Sequence, residues 1–197
     1  EAIDYLETVP GPYVVKADGL AYGKGVLVTE DLIAAQGWAR LCIGGEFGEA
    51  GSTVVIEDHL AGNEVSVFAI CDGTRALALE PARDYKRHLD SGKGPNTGGM
   101  GGNSPVNDLP PDLVDPTNNE IIEPVLGTLA EDGIQYRGFL YAGLVLTEEG
   151  PKVLEFNCRL GDPETQVLLS RLDEDFLEIL ASGAEGYLPD GPLQWHD

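Results

Sequence analysis

The stretch Lys152-Val153-Leu154-Glu155-Phe156-Asn157-Cys158-Arg159-Leu160-Gly161-Asp162-Pro163-Glu164 concentrates groups that could do chemistry. In an extended strand, residues two apart point to one face, so Glu155 and Asn157 project together. Two hard oxygen donors on one face suit Mg²⁺, which keeps waters and substrate phosphates as its other ligands. Arg159 would follow on that face, where a guanidinium can neutralise a phosphate in transfer. The competing reading is a solvated strand face beside a helix start at Asp162-Pro163, because proline suits the first helical position.

Three other segments carry weaker signals. In Val15-Lys16-Ala17-Asp18-Gly19-Leu20-Ala21-Tyr22-Gly23-Lys24-Gly25-Val26, a lysine at a strand end precedes a glycine turn. Cation and bare backbone N–H groups together are what polyphosphate binding requires. It is not a Walker A loop, since the Gly19-to-Lys24 count is wrong and Gly25 stands where Ser or Thr should meet magnesium. An ordinary hairpin with surface lysines fits the same residues. Glu57-Asp58-His59-Leu60-Ala61-Gly62-Asn63-Glu64 links two strand-like runs. Its main chain could read a base, and the Glu64 carboxylate could accept from ribose hydroxyls; a polar turn is the plainer alternative. Finally, Arg83-Asp84-Tyr85-Lys86-Arg87 places three bases in five positions, and Gly94-Pro95-Asn96-Thr97-Gly98-Gly99-Met100-Gly101-Gly102 exposes backbone with an Asn-Thr pair. That suits a small polar substrate or a phosphoryl group, unless the loop holds no ligand at all.

The elements that must position these residues read as follows. Glu1–Val9 is a helix tail ended by Pro10-Gly11-Pro12. Tyr13–Ala17 and Gly25–Thr29 form a strand-loop-strand unit. Asp31–Ile43 has helical spacing with a cap near Thr29–Asp31. Three strands follow at Thr53–Asp58, Glu64–Cys71 and Arg75–Pro81, the last two joined by an Asp72-Gly73 turn. Asp84–Pro105 has little apolar periodicity and reads as a long loop, which in a compact domain is functional or disordered. A helix at Asn118–Glu131, strands at Gly138–Thr147 and Lys152–Asn157, and a last helix over Pro163–Leu180 complete an α+β pattern with antiparallel hairpins. No fixed-period repeat is present.

Composition excludes several classes. The chain has 34 Asp and Glu against 12 Lys and Arg, a net charge of −22. That argues against nucleic-acid binding and against docking on an anionic membrane. With 42% hydrophobic residues it is no disordered acidic tail. Its apolar runs, Val65–Cys71 around one serine and Phe139–Leu146 around one glycine, fall far short of the ~20 residues of a membrane helix. Three scattered cysteines read as reduced thiols in a cytoplasmic protein. The charge is unevenly spread: Arg83–Met100 has four bases against two acids, while Leu109–Gln135 has six acids and no base. Starting at Glu1 rather than Met, the chain reads as an excised or processed piece.

Taken together, KADGLAYGKGV, VIEDHLAGNE, DYKR with GPNTGGMGG, and VLEFNCRLGDPETQ closely resemble the phosphoribosylamine–glycine ligase (glycinamide ribonucleotide synthetase) family of the ATP-grasp superfamily. The resemblance covers nearly the whole chain. Family members carry His where Tyr85 stands. The resemblance implies an ATP-grasp fold of two α+β subdomains with antiparallel sheets gripping the nucleotide: residues 1–65 as the smaller, 66–197 as the larger with the magnesium and substrate loops. Domains on either side of this chain would complete the enzyme, so the isolated chain is expected to be incomplete for catalysis. It further implies that Lys16, Gly23, Lys24 and Gly25 hold ATP phosphates, that Glu57 and Leu60 meet adenine through the backbone, and that Glu64 meets the ribose. Glu155 and Asn157 would bind Mg²⁺ (or Mn²⁺). Arg159, Lys86 and Asp84 are implied catalytic residues, with Asn96, Thr97, Gly98, Gly99 and Asp162 around the substrates. The expected partners are glycine and 5-phosphoribosylamine, with no nucleic acid or membrane, and a monomer is expected. The implied reaction runs through glycyl phosphate in purine biosynthesis. A carboxylase-type ATP-grasp ligase and a non-catalytic acidic module stay open as alternatives.

Overall fold

A computed structural model describes residues 1–196 except 22, 23, 91 and 92, with the side chains of 93, 95 and 96 also outside the description. Internal packing divides the chain into two compact units, Glu1–Leu60 and Ala61–Asp197.

The first unit is built on a three-stranded antiparallel sheet. Strand β1 (Tyr13–Ala17) lies between β2 (Val26–Thr29) and β3 (Val54–Glu57). The β-branched run of β1 alternates, and its Tyr13 and Val15 side chains join Leu6 of helix α1 (Ala2–Leu6) and Ala35 and Ala39 of α2 (Leu32–Leu41) in one core. Helix α2 starts where the sequence places a cap: the Asp31 carboxylate accepts from the Ile33 N–H at 2.8 Å, satisfying one of the donors a helix start leaves open.

The second unit has a four-stranded antiparallel sheet in the order β11-β10-β4-β5. Its strands are β4 (Asn63–Asp72), β5 (Ala76–Ala78), β10 (Arg137–Thr147) and β11 (Gly150–Asn157). From Val65 to Asp72, β4 is buried on both faces, which is why its sequence is almost continuously apolar rather than alternating. Val65, Val67, Ala69 and Cys71 face one core with Leu140, Ala142 and Leu144 of β10, under Leu113, Ile122 and Leu126. Phe68 and Ile70 face the other with Tyr141, under Leu168, Ile179, Leu188 and Leu193. Each large apolar side chain so buried contributes about 2 kcal/mol.

The structure differs from the sequence reading in three places. The stretch after Pro81 is not a structureless loop. Strand β6 (Arg83–Asp84) pairs with β9 (Gly102–Asn103), and β7 (Arg87–Leu89) pairs with β8 (Lys93–Asn96). Between them, Tyr85 N–H donates to Gly101 O, Met100 N–H to Tyr85 O and Thr97 N–H to Lys86 O. Backbone pairing without buried apolar side chains leaves no periodicity to read. The helix read from Asn118 begins earlier, as α3 (Val114–Thr117), and runs through a π-helical turn (Asn118–Ile122) into α4 (Glu123–Glu131). The last helix is two, α5 (Glu164–Leu169) and α6 (Phe176–Glu185). The Asp175 carboxylate caps the second by accepting from Leu177 and Glu178 N–H, a start signal inside a run that otherwise keeps helical spacing. Among the described residues no helix is long and apolar enough to cross a membrane.

Asp72 shows how the β4–β5 turn is locked. It is 2% exposed, and one carboxylate oxygen accepts from the Thr74 and Arg75 N–H groups and the Thr74 hydroxyl, while the other accepts from Leu188 N–H. Burial alone would raise its pKa, but these donors outweigh that and bring it down to about 2. A carboxyl depressed on folding stabilises above its unfolded pKa of about 3.9 and loses that contribution as pH falls through its folded value. Asp72→Asn should therefore cost about 2 kcal/mol at pH 7 in urea unfolding, and the gap to the parent should close between about pH 4 and pH 2.

Candidate active site

In the first unit, Lys16 is the next-to-last residue of β1, and its ammonium lies 2.5 Å from the Glu57 carboxylate at the end of β3. The pair forms because β1 and β3 run antiparallel with Val14 opposite Glu57 and Lys16 opposite Val55. Leu60 is half-buried, and Lys24 is exposed on the turn that Lys24 N–H closes onto Ala21 O. Gly25 is buried, its carbonyl accepting from Ala17 N–H. Gly23 lies outside the described residues.

In the second unit the candidate residues gather on one sheet face. β10 pairs with β4 so that Gly143 lies opposite Ser66 and Tyr141 opposite Phe68; on its other side, Gly143 lies opposite Glu155 and Tyr141 opposite Asn157. A bulge follows at Gly143/Leu144. Glu155, Asn157, Tyr141 and Ser66 therefore share a face, as do Glu64 and Phe68 further along β4. Glu155 is exposed and Asn157 half-buried. Gly143 leaves room here: a β-carbon on it would sit 3.3 Å from Glu155 Cγ and 3.8 Å from Tyr141 Cε2.

Lys86 reaches the Glu64 end of this face from the β6–β7 segment, with its ammonium 3.3 Å from the Glu64 carboxylate and 3.8 Å from that of Asp84. Burial works to lower the lysine pKa, but the Glu64 and Asp84 charges outweigh it and raise it. Lys86 is thus a permanent cation and cannot serve as a base near neutrality. Asp84 is pushed up, first by burial and then by the Glu164 and Glu64 charges, with Lys86 opposing.

Beneath this group lies a polar cluster that sequence reasoning missed. Glu164, 2% exposed, accepts from the Ser66 hydroxyl and the Tyr141 hydroxyl at 3.1 Å each, and the two hydroxyls are 2.8 Å apart. The signal was present: Ser66 is the single polar residue in the run Val65–Cys71, and a hydroxyl in a doubly buried strand needs a partner.

The glycine-rich segment meets the same region. Gly99, at φ 122°, approaches so closely that a β-carbon would lie 2.6 Å from Pro163 Cδ. The Thr97 hydroxyl donates to Lys86 O and accepts from Gly99 N–H, tying this segment to the lysine. Gly98 is exposed, and the Asn96 side chain lies outside the described residues. The Asp162 carboxylate accepts from Gln166 Nε2 at 2.8 Å. β11 ends at Asn157, so strand alternation stops short of Arg159, whose exposed guanidinium donates to Leu160 O.

Among the described residues no group of three or more His, Cys, Asp or Glu could hold a metal ion. Glu155 and Asn157 still fit Mg²⁺, because one carboxylate and one amide on an open face suit an ion that draws most ligands from phosphate and water.

Residues 1–165 match the family described as phosphoribosylglycinamide synthetase, ATP-grasp (A) domain. The chain belongs to this family. It is 48% identical over 196 residues to the phosphoribosylamine–glycine ligase of Allochromatium vinosum, covering 98% of this chain and 46% of that one. The corresponding ligase of Mesorhizobium japonicum is 45% identical over 193 residues, with 98% and 45% covered. Among solved structures, the Thermotoga maritima phosphoribosylamine–glycine ligase superposes with a TM-score of 0.84 at 38% identity, over 98% of this chain and 49% of that one. A biotin carboxylase from Campylobacter jejuni, at 17% identity and a TM-score of 0.68 over 98% of this chain and 42% of that one, shares the fold. The fold is thus ATP-grasp, α+β with antiparallel sheets, as expected. The chain spans about half the length of the curated relatives it matches.

In this ATP-grasp (A) domain, Gly99→Ala should cost about 2 kcal/mol, combining a strained φ with the collision against Pro163. Gly98→Ala, with nothing within 4 Å of its β-carbon, should cost under about 0.5 kcal/mol. Urea unfolding of the two variants checks both.

Proposed function

We propose that the chain is the ATP-grasp part of a phosphoribosylamine–glycine ligase. In the reaction, a glycine carboxylate oxygen attacks the γ-phosphorus of ATP and ADP leaves. The amine of 5-phosphoribosylamine then attacks the glycyl carbonyl carbon, phosphate departs and the amide forms. The observation carrying this reading is the single sheet face that bears a permanent cation, Lys86 held by Glu64 and Asp84, together with the open Glu155 and Asn157 pair. An acyl phosphate chemistry gathers anions, and fixed positive groups are what stabilise them.

The roles follow from the groups. In the first unit, Lys16 and Lys24 offer cations, and the Gly25 turn backbone, to ATP phosphates; the Glu57 and Leu60 main chain is assigned to adenine. In the second unit, Glu64 is assigned to the ribose. Lys86 offers its ammonium to the carboxylate being activated. The Asn96–Gly99 segment and Asp162 are assigned to the substrates, and Arg159, exposed and paired with no carboxylate among the described residues, is assigned to the phosphate that departs. Glu155 and Asn157 would hold Mg²⁺, which neutralises charge on the phosphates when bound. Residues 1–60 are assigned as the smaller ATP-grasp subdomain and the remainder as the larger.

Calorimetry with Mg²⁺-ATP tests this reading. The chain should bind Mg²⁺-ATP, and Glu155→Ala should weaken binding by at least about tenfold. Absence of binding by the parent chain, or full affinity in the variant, would favour a non-catalytic module instead. ADP release stimulated by glycine over other small carboxylic acids, including bicarbonate, separates the proposed ligase from a carboxylase-type enzyme.

A further inference from the structure

Asn157 has no hydrogen bond to aim it: its Nδ2 is buried and has no partner among the described residues. A ligand side chain lacking such a bond takes its orientation from what packs against it. The residue directly across the strand pair is Tyr141, at 4% exposure, and residues opposite each other in an antiparallel pair stand ~5 Å apart at their β-carbons. Tyr141 Cε2 also lies 3.8 Å, and Glu155 Cγ 3.3 Å, from where a β-carbon of Gly143 would stand. Tyr141 is therefore the cross-strand neighbour of Asn157 and the diagonal neighbour of Glu155 on the same face.

That ring is held at its far end. The Ser66 and Tyr141 hydroxyls have one proton each to donate. Glu164 Oε1 lies within 3.1 Å of both and is the terminal acceptor for the two. Gly161 makes room for Glu164, whose carboxylate occupies the place a β-carbon of Gly161 would take. It opens α5 and meets Ser66 and Tyr141 on the sheet face they share with Glu155 and Asn157.

We propose that Glu164 is a positioning residue for the metal-bound nucleotide: with Ser66 it clamps the Tyr141 hydroxyl, and the Tyr141 ring in turn holds Glu155 and Asn157 in the orientation that receives the ion. The inference rests on the assignment of Glu155 and Asn157 to Mg²⁺ made above. Partners that orient metal ligands from behind matter by about 10–100-fold in metal affinity.

The test compares Glu164→Gln, which keeps the size and removes the charge, with Tyr141→Phe, which keeps the ring and removes the hydroxyl. For each, calorimetry measures ATP affinity with Mg²⁺ and again in EDTA, and melting confirms folding. Both variants should lose about tenfold or more with Mg²⁺ and change less than about twofold in EDTA. Equal losses in both conditions mean a merely structural role and overturn the proposal, as does an unchanged Mg²⁺-ATP affinity in either folded variant. Should one variant fail to fold, the other decides by the same criterion. A parent chain whose ATP affinity does not depend on Mg²⁺ removes the metal assignment itself and the proposal with it, which is distinct from a metal-dependent parent with indifferent variants.

Discussion

The antiparallel register between β4 and β10 is the constraint on which the second unit depends. It runs from Arg137 opposite Asp72 to Leu146 opposite Asn63 without a break. Because side chains alternate along a strand, a slip of one residue in β4 would send Ser66 and Phe68 to the face opposite Tyr141 and lift Val67 and Ala69 out of their core. Such a slip is prohibitive when both faces are buried. The register is therefore held by two hydrophobic cores at once, and the functional face inherits its precision from them.

That precision matters because the groups on the face are few and individually ordinary. A lysine between two carboxylates, an exposed glutamate and a half-buried asparagine are common surface features. What distinguishes them is a supporting polar cluster inside the core, where Ser66, Tyr141 and Glu164 satisfy one another. A buried network of this kind stiffens its surroundings only when each member is satisfied. The glycines serve the same end. Gly143 admits the Tyr141 ring and Glu155 side chain together, and Gly99 lets the backbone approach Pro163.

The strong acidity is compatible with binding anions because charge is local. Lys16 and Lys86 each sit against carboxylates, and the Glu64 and Asp84 charges raise the Lys86 pKa. The long acidic stretch Leu109–Gln135 carries its charges mostly on exposed positions of α3, α4 and their neighbours. Ion pairs at exposed positions contribute little to stability, so that surface governs solubility more than fold.

Much was legible in the order of residues. The strands β1 and β11, the Asp31 cap and the pairing of Glu155 with Asn157 on one face follow from strand-forming runs, alternation and turn chemistry, and β4 and β10 from apolar runs, all of which are local. The short family motifs were equally readable, since each is a contiguous string. The Asp175 cap that divides the last helix is local too, but apolar spacing that continues through it hides the break. Tertiary structure alone decided two things. The paired strands between Arg83 and Asn103 are made by backbone hydrogen bonds with no apolar pattern to announce them. The Ser66–Tyr141–Glu164 cluster joins residues 23 to 98 positions apart, and only the sheet register and the packing of α5 bring them together, because hydrogen bonding acts over ångströms while sequence records only neighbours along the chain.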